Sequence, residues 1–170
     1  TNGRTRVAPP APPTPAQTVA EIESLKTMVL DERPDALGEI FSQADEFMSY
    51  FLALAGASPS SHPATFRLLS MANVVATFVA VQFKSQHNRP RPSQLCPALL
   101  PPLQVPGHAS YPSGHATQAH LFALCLKAIQ PTAQLQTSLG AVLDALARRI
   151  ARNREIAGLH YPSDSVAGGA

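Results

Sequence analysis

The chain has 170 residues, a length that suits one domain and allows a sizeable hydrophobic core. Apolar residues make up 45% of it and charged residues 14%, a balance that excludes an intrinsically disordered protein. The net charge of +2 is too small to indicate a nucleic-acid partner. The composition therefore predicts a folded protein that does not act on nucleic acid.

The charges are unevenly distributed. Eight of the eleven acidic residues lie between Glu21 and Glu46, and none lies between Phe47 and Leu143. That acid-free stretch still contains five basic residues: Arg67, Lys84, Arg89, Arg91 and Lys127. It is either core helix, which disfavours any charge, or a site that stays positive in order to hold an anion. The two cysteines, Cys96 and Cys125, are too few for a disulfide framework, and the sequence leaves their pairing open.

The first residues differ in composition from the rest. Residues 1–16 contain five prolines and almost nothing to bury, which is typical of an extended or disordered segment. We predict a Pro-rich disordered tail over residues 1–16 and one helical domain over residues 17–170.

Helical patterns dominate the remainder, and no segment alternates as a strand would. We predict helices over 17–33, 35–55, 63–86, 114–129 and 132–157, with a short helix after Pro162. Thr132 suits the N-cap of one helix and Gly158 its C-terminal cap. The predicted fold is all-α, a single-domain bundle of five to six helices without a sheet. A long loop with seven prolines, 87–113, separates the third and fourth helices, and such loops are often functional.

The longest apolar run, residues 68–83, is short for a membrane span and is interrupted by Ser70, Asn73, Thr77 and Gln82. We interpret it as the buried central helix of a soluble protein with no membrane span. The compartment stays undetermined, and a periplasmic or secreted protein that has lost an N-terminal signal fits this interpretation.

On the predicted helix 132–157, Arg154 lies on the wrong side for a charged residue. It follows Ile150 by four residues and therefore shares the apolar stripe of Leu143 and Leu146. A buried guanidinium needs a partner, because an unpaired charge in the core is costly. That partner is either an acid from elsewhere in the fold or a bound anion.

Two further polar residues suggest the same kind of site. Ser113 is a good N-cap, and His115, in the first turn that follows Gly114, shares a face with Phe122. Free N–H groups at a helix start suit an anion, although a core histidine is the alternative. Lys84 lies at the end of the most apolar predicted helix. Its ammonium group either belongs to the same anion site or reaches the protein surface.

These residues belong to three short motifs that occur in a fixed order. The motifs are Lys84 with Arg91-Pro92, Pro112-Ser-Gly-His115, and Arg154 with His160 and Asp164. In order and spacing they resemble the superfamily of type 2 phosphatidic acid phosphatases, bacterial class A acid phosphatases and vanadium-dependent haloperoxidases. One departure is Asn153, at a position where the family often has serine.

The resemblance implies an anion site. Lys84, Arg91 and Arg154 would neutralise the oxygens of a phosphoryl group. Ser113 and the N–H of Gly114 would add directional hydrogen bonds to the same group.

The resemblance also implies a two-step hydrolysis. His160 would attack phosphorus to form a phosphohistidine, and Asp164 would hold its ring in the required tautomer. His115 would protonate the leaving group and then activate water. No metal or other cofactor is implied for a phosphatase, because side chains supply the positive charge.

Three functions remain open. The first is a soluble acid phosphatase-like hydrolase acting on a small phosphorylated substrate, which the chain size favours. The second is a haloperoxidase whose cofactor vanadate is held by His160, which the stretch Ser110-Tyr-Pro-Ser-Gly-His-Ala-Thr-Gln118 favours. The third is a non-catalytic anion-binding protein, which would not need the His160–Asp164 pair. The natural leaving group and the oligomeric state cannot be predicted.

Overall fold

The computed structural model describes residues 10–170, and these form helices joined by loops, with no strand among them. Eight α-helices follow one another in this part of the chain: α1 (Pro15–Asp31), α2 (Arg33–Ser42), α3 (Met48–Leu54), α4 (Pro63–His87), α5 (Pro92–Leu95), α6 (Gly114–Ala128), α7 (Ala133–Ile156) and α8 (Pro162–Gly168). A 3₁₀ turn, Pro97–Leu99, follows α5. The predicted all-α class is confirmed, with more and shorter helices than the five to six expected.

The helix predicted over residues 35–55 is two helices. The first ends where Gln43, which is buried, accepts a hydrogen bond from the Asn153 amide at 2.8 Å. The second begins where Glu46 accepts from the backbone N–H of Ser49. No glycine or proline marks this break, and the tertiary contact to Asn153 that fixes it lies 110 positions away.

The N-terminal boundary also differs by two residues. Helix α1 begins at Pro15, because the Thr14 side chain accepts from the N–H of Gln17 and the Gln17 side chain bonds back to Thr14. The preceding residues 10–14 lie outside any helix, and the carbonyl of Pro10 accepts a hydrogen bond from the Tyr111 hydroxyl. Most of the predicted disordered tail, residues 1–9, lies outside the described part.

Helix α6 occupies the centre and packs against both α4 and α7. Their shared core includes Phe51 and Phe122, whose rings meet edge to face at 5.5 Å, with Leu126, Leu143 and Ile150 around them. A second apolar cluster, which includes Leu25, Met28, Ile40, Leu99 and Ile156, joins α1 and α2 to the end of α7. The two clusters meet along α7, which contributes Leu143 and Ile150 to the first and Ile156 to the second.

Helix α4 corrects the interpretation of a buried helix in a soluble protein without a membrane span. The segment Pro63–Leu95 has 33 residues, long enough to cross a membrane, and its most apolar window has a mean hydropathy of 1.6 with only 22% of the window buried. Met71 and Phe78 are 68% and 71% exposed, and Val74 and Val75 are exposed beside them. The buried face carries mainly small side chains, Ala72, Ala76 and Ala80.

Two of the polar residues that interrupt this apolar run are bonded within their own helix. The hydroxyl of Ser70 donates to the carbonyl of Phe66, and that of Thr77 donates to the carbonyl of Asn73, each at 2.8 Å. Hydroxyls paired with their own helix backbone do not stop a helix from lying in apolar surroundings. These residues therefore do not exclude a membrane span, and the long helix with its exposed apolar face contradicts the prediction of a soluble protein without one.

The end of α7 turns the chain back towards its core. Thr132 caps the start of α7 by accepting from the N–H of Leu135, as predicted. At the other end Gly158 has φ +75°, a left-handed conformation that glycine adopts without strain. This turn places the following residues, Leu159 and His160, against the inner side of the bundle.

Candidate active site

The motif residues surround one cavity of about 200 Å³ beside α6. Its charged and polar lining includes Lys84, Arg91, His108, Gly114, His115, Gln118, Arg154 and His160. Its apolar lining includes Ala80, Val81, Pro106 and Leu159. Six of the eight predicted site residues therefore line a single cavity, and the other two, Ser113 and Asp164, are buried beside it.

His160 is buried, and its two ring nitrogens have different partners. Nδ1 lies 3.1 Å from Oδ2 of Asp164, and Nε2 lies 3.1 Å from Nη1 of Arg91. A guanidinium only donates hydrogen bonds, so Nε2 must accept and the proton must be on Nδ1. Burial, together with the charges of Arg91 and Lys84, lowers the pKa of His160 to about 3. The neutral ring with a proton-free Nε2 is thus the form present at neutral pH.

Asp164 is completely buried and accepts hydrogen bonds on both oxygens. Oδ2 accepts from Nδ1 of His160, from the N–H of Tyr161 and from the hydroxyl of Ser110. Oδ1 accepts from Nη1 of Arg89 at 2.7 Å. Burial alone would raise the pKa of Asp164, but the hydrogen bond and charge of His160, with Arg89 and Ser110, lower it to about 2. The carboxylate is therefore ionised over the whole range in which the protein is expected to act.

Arg154 is 1% exposed and has no acidic partner among the described residues. Its Nη2 donates to the carbonyl of Ile40 at 2.7 Å. Its Nε is also buried and has no hydrogen-bond partner among residues 10–170. Burial lowers the pKa of Arg154 to about 10, so the side chain remains a cation at neutral pH. The structure thus places an incompletely paired cation at the wall of the cavity, where an anion would complete its hydrogen bonds.

Lys84, in the last turn of α4, and Arg91, seven residues later, both line the cavity. Arg91 donates to the carbonyls of His108 and Leu159 as well as to His160. Lys84 does not extend to the surface: it is 3% exposed, and its Nζ donates to the carbonyls of Ala109, Ser110 and Pro112. Lys84 therefore brings a positive charge to the cavity and also fixes the loop that enters α6.

The start of α6 is built as the sequence indicated. Ser113 is the N-cap, and its hydroxyl accepts from the N–H of Ala116 at 3.4 Å. The hydroxyl does not line the cavity, so a direct bond from it to a bound anion stays a prediction. Gly114 and His115, in the first turn, do line the cavity, and the first N–H groups of a helix have no partner within the helix. This end of α6 adds donors and a positive dipole end to the site.

His115 is held between the end of α2 and the cavity. Its Nε2 lies 3.2 Å and 3.1 Å from the carbonyl oxygens of Gln43 and Ala44, and the ring of Phe47 stacks on it at 5.2 Å. Carbonyl oxygens only accept, so Nε2 carries a proton and Nδ1 is the nitrogen available for proton transfer. Burial, and then the charge of Arg154, lowers the pKa of His115 to about 4.

Sequence reasoning missed several residues around the His160–Asp164 pair. Arg89 and Ser110 both bond Asp164, and Nδ1 of His108 lies 3.1 Å from Nη2 of Arg91. Arg89 stands two residues before Arg91 in an Arg-Pro-Arg-Pro sequence, and Ser110 lies within the stretch that carries Pro-Ser-Gly-His. Proximity to a motif was the signal available for both, and it does not reveal which partner each would find.

No group of three or more His, Cys, Asp or Glu side chains among residues 10–170 is arranged to hold a metal ion. Cys96 and Cys125 are both free thiols.

The sequence profile of the PAP2 superfamily matches residues 64–170, more than half of the chain and all three motifs. The chain belongs to the PAP2 superfamily. The resemblance inferred from the motifs is thereby confirmed. No protein of curated function is similar enough in sequence to be matched.

Among solved structures, the fold is similar to that of a transmembrane PAP2-type phosphatidylglycerolphosphate phosphatase from Bacillus subtilis. The TM-score is 0.66 at 19% identity, and the match covers 92% of this chain and 80% of the other. A similarity at this identity shows a shared fold. That neighbour is a transmembrane protein, which agrees with the exposed apolar face of α4, and the two findings contradict the expectation of a soluble protein.

Proposed function

We propose that this member of the PAP2 superfamily is a phosphoester hydrolase that uses His160 as its nucleophile. The observation that carries the proposal is the state of the His160 ring: Asp164 accepts from Nδ1 and Arg91 donates to Nε2. Nε2 therefore presents a lone pair inside a cavity lined by cations. A neutral imidazole in this tautomer is the form that can attack phosphorus.

The cations and backbone N–H groups that line the cavity would bind the phosphoryl group and stabilise its transition state. A phosphoryl oxygen would replace Nε2 of His160 as the acceptor of the hydrogen bond from Nη1 of Arg91. The lone pair on Nε2 would then be free to attack. Another oxygen would accept from the unpaired Nε of Arg154 and from the N–H groups at the start of α6. Lys84 adds charge without leaving its carbonyl partners. Preorganised donors of this kind cost little reorganisation during the reaction.

In the first step Nε2 of His160 forms a bond to phosphorus while the bond from phosphorus to the leaving-group oxygen breaks. His115, protonated on Nδ1, gives that proton to the departing oxygen. In the second step the neutral Nδ1 takes a proton from water, the water oxygen attacks phosphorus, and the P–N bond breaks. Asp164 stabilises the positive charge on the His160 ring while the phosphoryl group is attached. In this scheme His160 makes the nucleophilic attack and His115 carries out both proton transfers.

The walls of the cavity favour a substrate with an apolar group next to its phosphate. Val81 lines the cavity and is also 50% exposed on the apolar face of α4, while Ala80, Pro106 and Leu159 form the rest of the apolar lining. A cavity of this size holds a phosphoryl group and little more, so the rest of the substrate would lie outside, along α4. We therefore include amphiphilic phosphomonoesters among the substrates, and the similar fold of a phosphatidylglycerolphosphate phosphatase supports this choice.

The alternative is a vanadium-dependent haloperoxidase, favoured by the stretch from Ser110 to Gln118. The residues present fit vanadate as well as phosphate, because His160 offers a proton-free nitrogen and Arg154 an unpaired donor. Bound vanadate would supply peroxide activation and halide oxidation. The two functions share one site and differ in what the loaded site does.

A direct assay separates them. Either enzyme should bind vanadate, which resembles a five-coordinate phosphoryl transition state, so binding alone decides nothing. We expect hydrolysis of an aryl phosphate, with vanadate inhibiting in competition with substrate. Bromide oxidation that depends on vanadate and peroxide, with only trace hydrolysis, would instead establish the haloperoxidase.

A further inference from the structure

Behind His160, two charged residues that the catalytic scheme does not use form a buried cluster with Asp164. Arg89 is 7% exposed and divides its guanidinium between two carboxylates. Its Nη1 donates to Asp164 at 2.7 Å, and its Nη2 donates to Glu21 of α1 at 2.8 Å. The guanidinium also lies 3.7 Å from the centre of the Tyr161 ring. One cation thus connects the helix α1 to the carboxylate that orients the nucleophile.

Glu21 makes a second set of contacts in the same place. Its Oε1 accepts from the N–H of Ser163 at 2.7 Å, and its Oε2 accepts from the Ser163 hydroxyl at 3.0 Å. Ser163 lies in the first turn of α8, so Glu21 satisfies a free helix N–H and places a negative charge at the positive end of α8. Helix α8 carries Asp164, and its start is therefore held from α1.

The charges in this cluster do not cancel. Glu21 and Asp164 are two carboxylates, and Arg89 is the cation that both contact, which leaves one net negative charge behind His160. If Arg89 contacted Asp164 alone, the pair would be neutral and would attract a positive His160 ring much less. Glu21 offsets the charge of Arg89 and so leaves Asp164 an effective anion towards His160.

We propose that Glu21 and Arg89 are positioning residues that fix the orientation and the effective charge of Asp164 behind His160. Arg89 supplies the hydrogen bond that orients the carboxylate, and Glu21 removes the electrostatic cost of having a cation there. Glu21 lies outside residues 64–170, so this part of the proposed machinery comes from a helix beyond the segment that the family profile matches.

The predicted effect on the rate of His160 phosphorylation rests on the proposed function. The predicted effect on phosphate affinity does not depend on it. Removing the negative charge with Glu21→Gln should strengthen the binding of inorganic phosphate while it slows phosphorylation of His160. The first effect follows because an anion in the cavity is repelled by the cluster, and we expect roughly a threefold lower Kd. The second follows because the ring becomes positive as it is phosphorylated, and we expect roughly a tenfold lower rate of that step.

Arg89→Gln provides the opposite change. It leaves two uncompensated carboxylates, so phosphate should bind more weakly to this variant than to the wild-type protein. The double variant Glu21→Gln/Arg89→Gln restores one net negative charge, and its phosphate affinity should return to within about twofold of the starting value. Glu23→Gln is the matched control, because Glu23 is an exposed glutamate on the same helix whose partner is Lys26. It should leave both quantities unchanged.

Phosphate affinity is measured by calorimetry, phosphorylation by rapid quench with an aryl phosphate, and folding by thermal unfolding. Opposite shifts in phosphate affinity for the two single variants, with recovery in the double variant, support the inference. Weaker phosphate binding in all three variants, or an equal change in Glu23→Gln, overturns it, since loss of structure would act in one direction only. Phosphate binding without any phosphohistidine in the unchanged protein would overturn the proposed function alone, and the affinities would still decide the inference. A chain that binds no phosphate overturns both.

Discussion

At the scale of single residues, the proposed chemistry depends on which nitrogen of His160 carries the proton. Asp164 fixes this by accepting from Nδ1, and an asparagine at that position can donate to Nδ1 instead and favour the inactive tautomer. We expect Asp164→Asn to lower kcat by about 10²- to 10⁴-fold, the range typical of a positioned acid–base group. Steady-state kinetics would measure this, and kcat within a few-fold of the unchanged enzyme would contradict the role of Asp164.

The pH dependence of kcat/KM follows from the two histidines. His160 must be neutral, and its pKa is lowered to about 3; His115 must be protonated to act as the acid, and its pKa is lowered to about 4. Activity towards a poor leaving group should therefore be highest under acidic conditions and should fall as pH rises through the pKa of His115. A bound phosphoryl anion raises that pKa and widens the range.

His115→Ala provides the check on this assignment. It should abolish the decline at high pH, and it should slow poor leaving groups much more than good ones, which depart without a proton. An alkaline optimum in the unchanged enzyme, or an equal loss for all leaving groups, would show that His115 is not the acid.

Arg154 favours anion binding at the expense of stability. It is buried and its Nε has no partner among the described residues, so in the absence of an anion it costs folding free energy. Replacing it by methionine should weaken phosphate binding by at least about tenfold, since a hydrogen bond to a charged group contributes about 1.5–3 kcal/mol. The same variant should unfold at equal or higher denaturant concentration. Unchanged phosphate affinity by calorimetry would refute this role.

At the scale of helices, α8 is the element that brings Asp164 to His160, and it packs very closely on the start of α6. A Cβ added at Gly168 would lie 2.6 Å from the carbonyl oxygen of Ser113 and 2.8 Å from Cβ of Ala116. Gly168→Ala should therefore separate α8 from α6 and destabilise the fold by about 1–3 kcal/mol. Denaturant unfolding measures this, and activity should fall with it.

Gly38→Ala is the matched control. Gly38 is inside α2, and an added Cβ there would have no atom within 4 Å. This substitution should stabilise the protein by about 0.5–1 kcal/mol through helix propensity. If Gly168→Ala were tolerated as well as Gly38→Ala, the close contact between α8 and α6 would not be required.

The sequence predicted the helices that carry strong local signals. Thr132 and Gly158 mark the two ends of α7 by capping, and Ser113 marks the start of α6. The break between α2 and α3 has no such signal, because it depends on the contact of Gln43 with Asn153. Local chemistry could therefore locate helix ends, and long-range contacts could not be read from it.

The same distinction applies to the site. Motif order predicted eight members of the site, and six of them line the cavity. The pairing of Glu21 with Arg89 joins residues 68 positions apart, and no periodicity or motif indicates that these two residues would pair. The residues that support a site from behind are therefore the part that the structure adds.

At the scale of the whole molecule, α4 changes how the protein is placed in its surroundings. Its small residues face α6, and its large apolar residues, among them Met71 and Phe78, face outward. Hydropathy along the chain gives the length of such a helix but not which face is covered, so the sequence alone suggested a buried helix. The cavity and the exposed apolar face meet at Val81. An amphiphilic substrate, as proposed above, could therefore lie along the apolar face of α4 with its phosphate in the cavity.

The central claim is that hydrolysis passes through a phosphoryl group bonded to His160. The most direct test uses His115→Ala with an aryl phosphate, because a good leaving group permits the first step while the loss of the base slows the second. Acid-labile, base-stable label trapped after alkaline quench should appear on His160 by peptide mass spectrometry, and it should be absent from the double variant with His160→Ala. Turnover by the unchanged enzyme without any phosphoryl group on His160 in either protein would contradict the account.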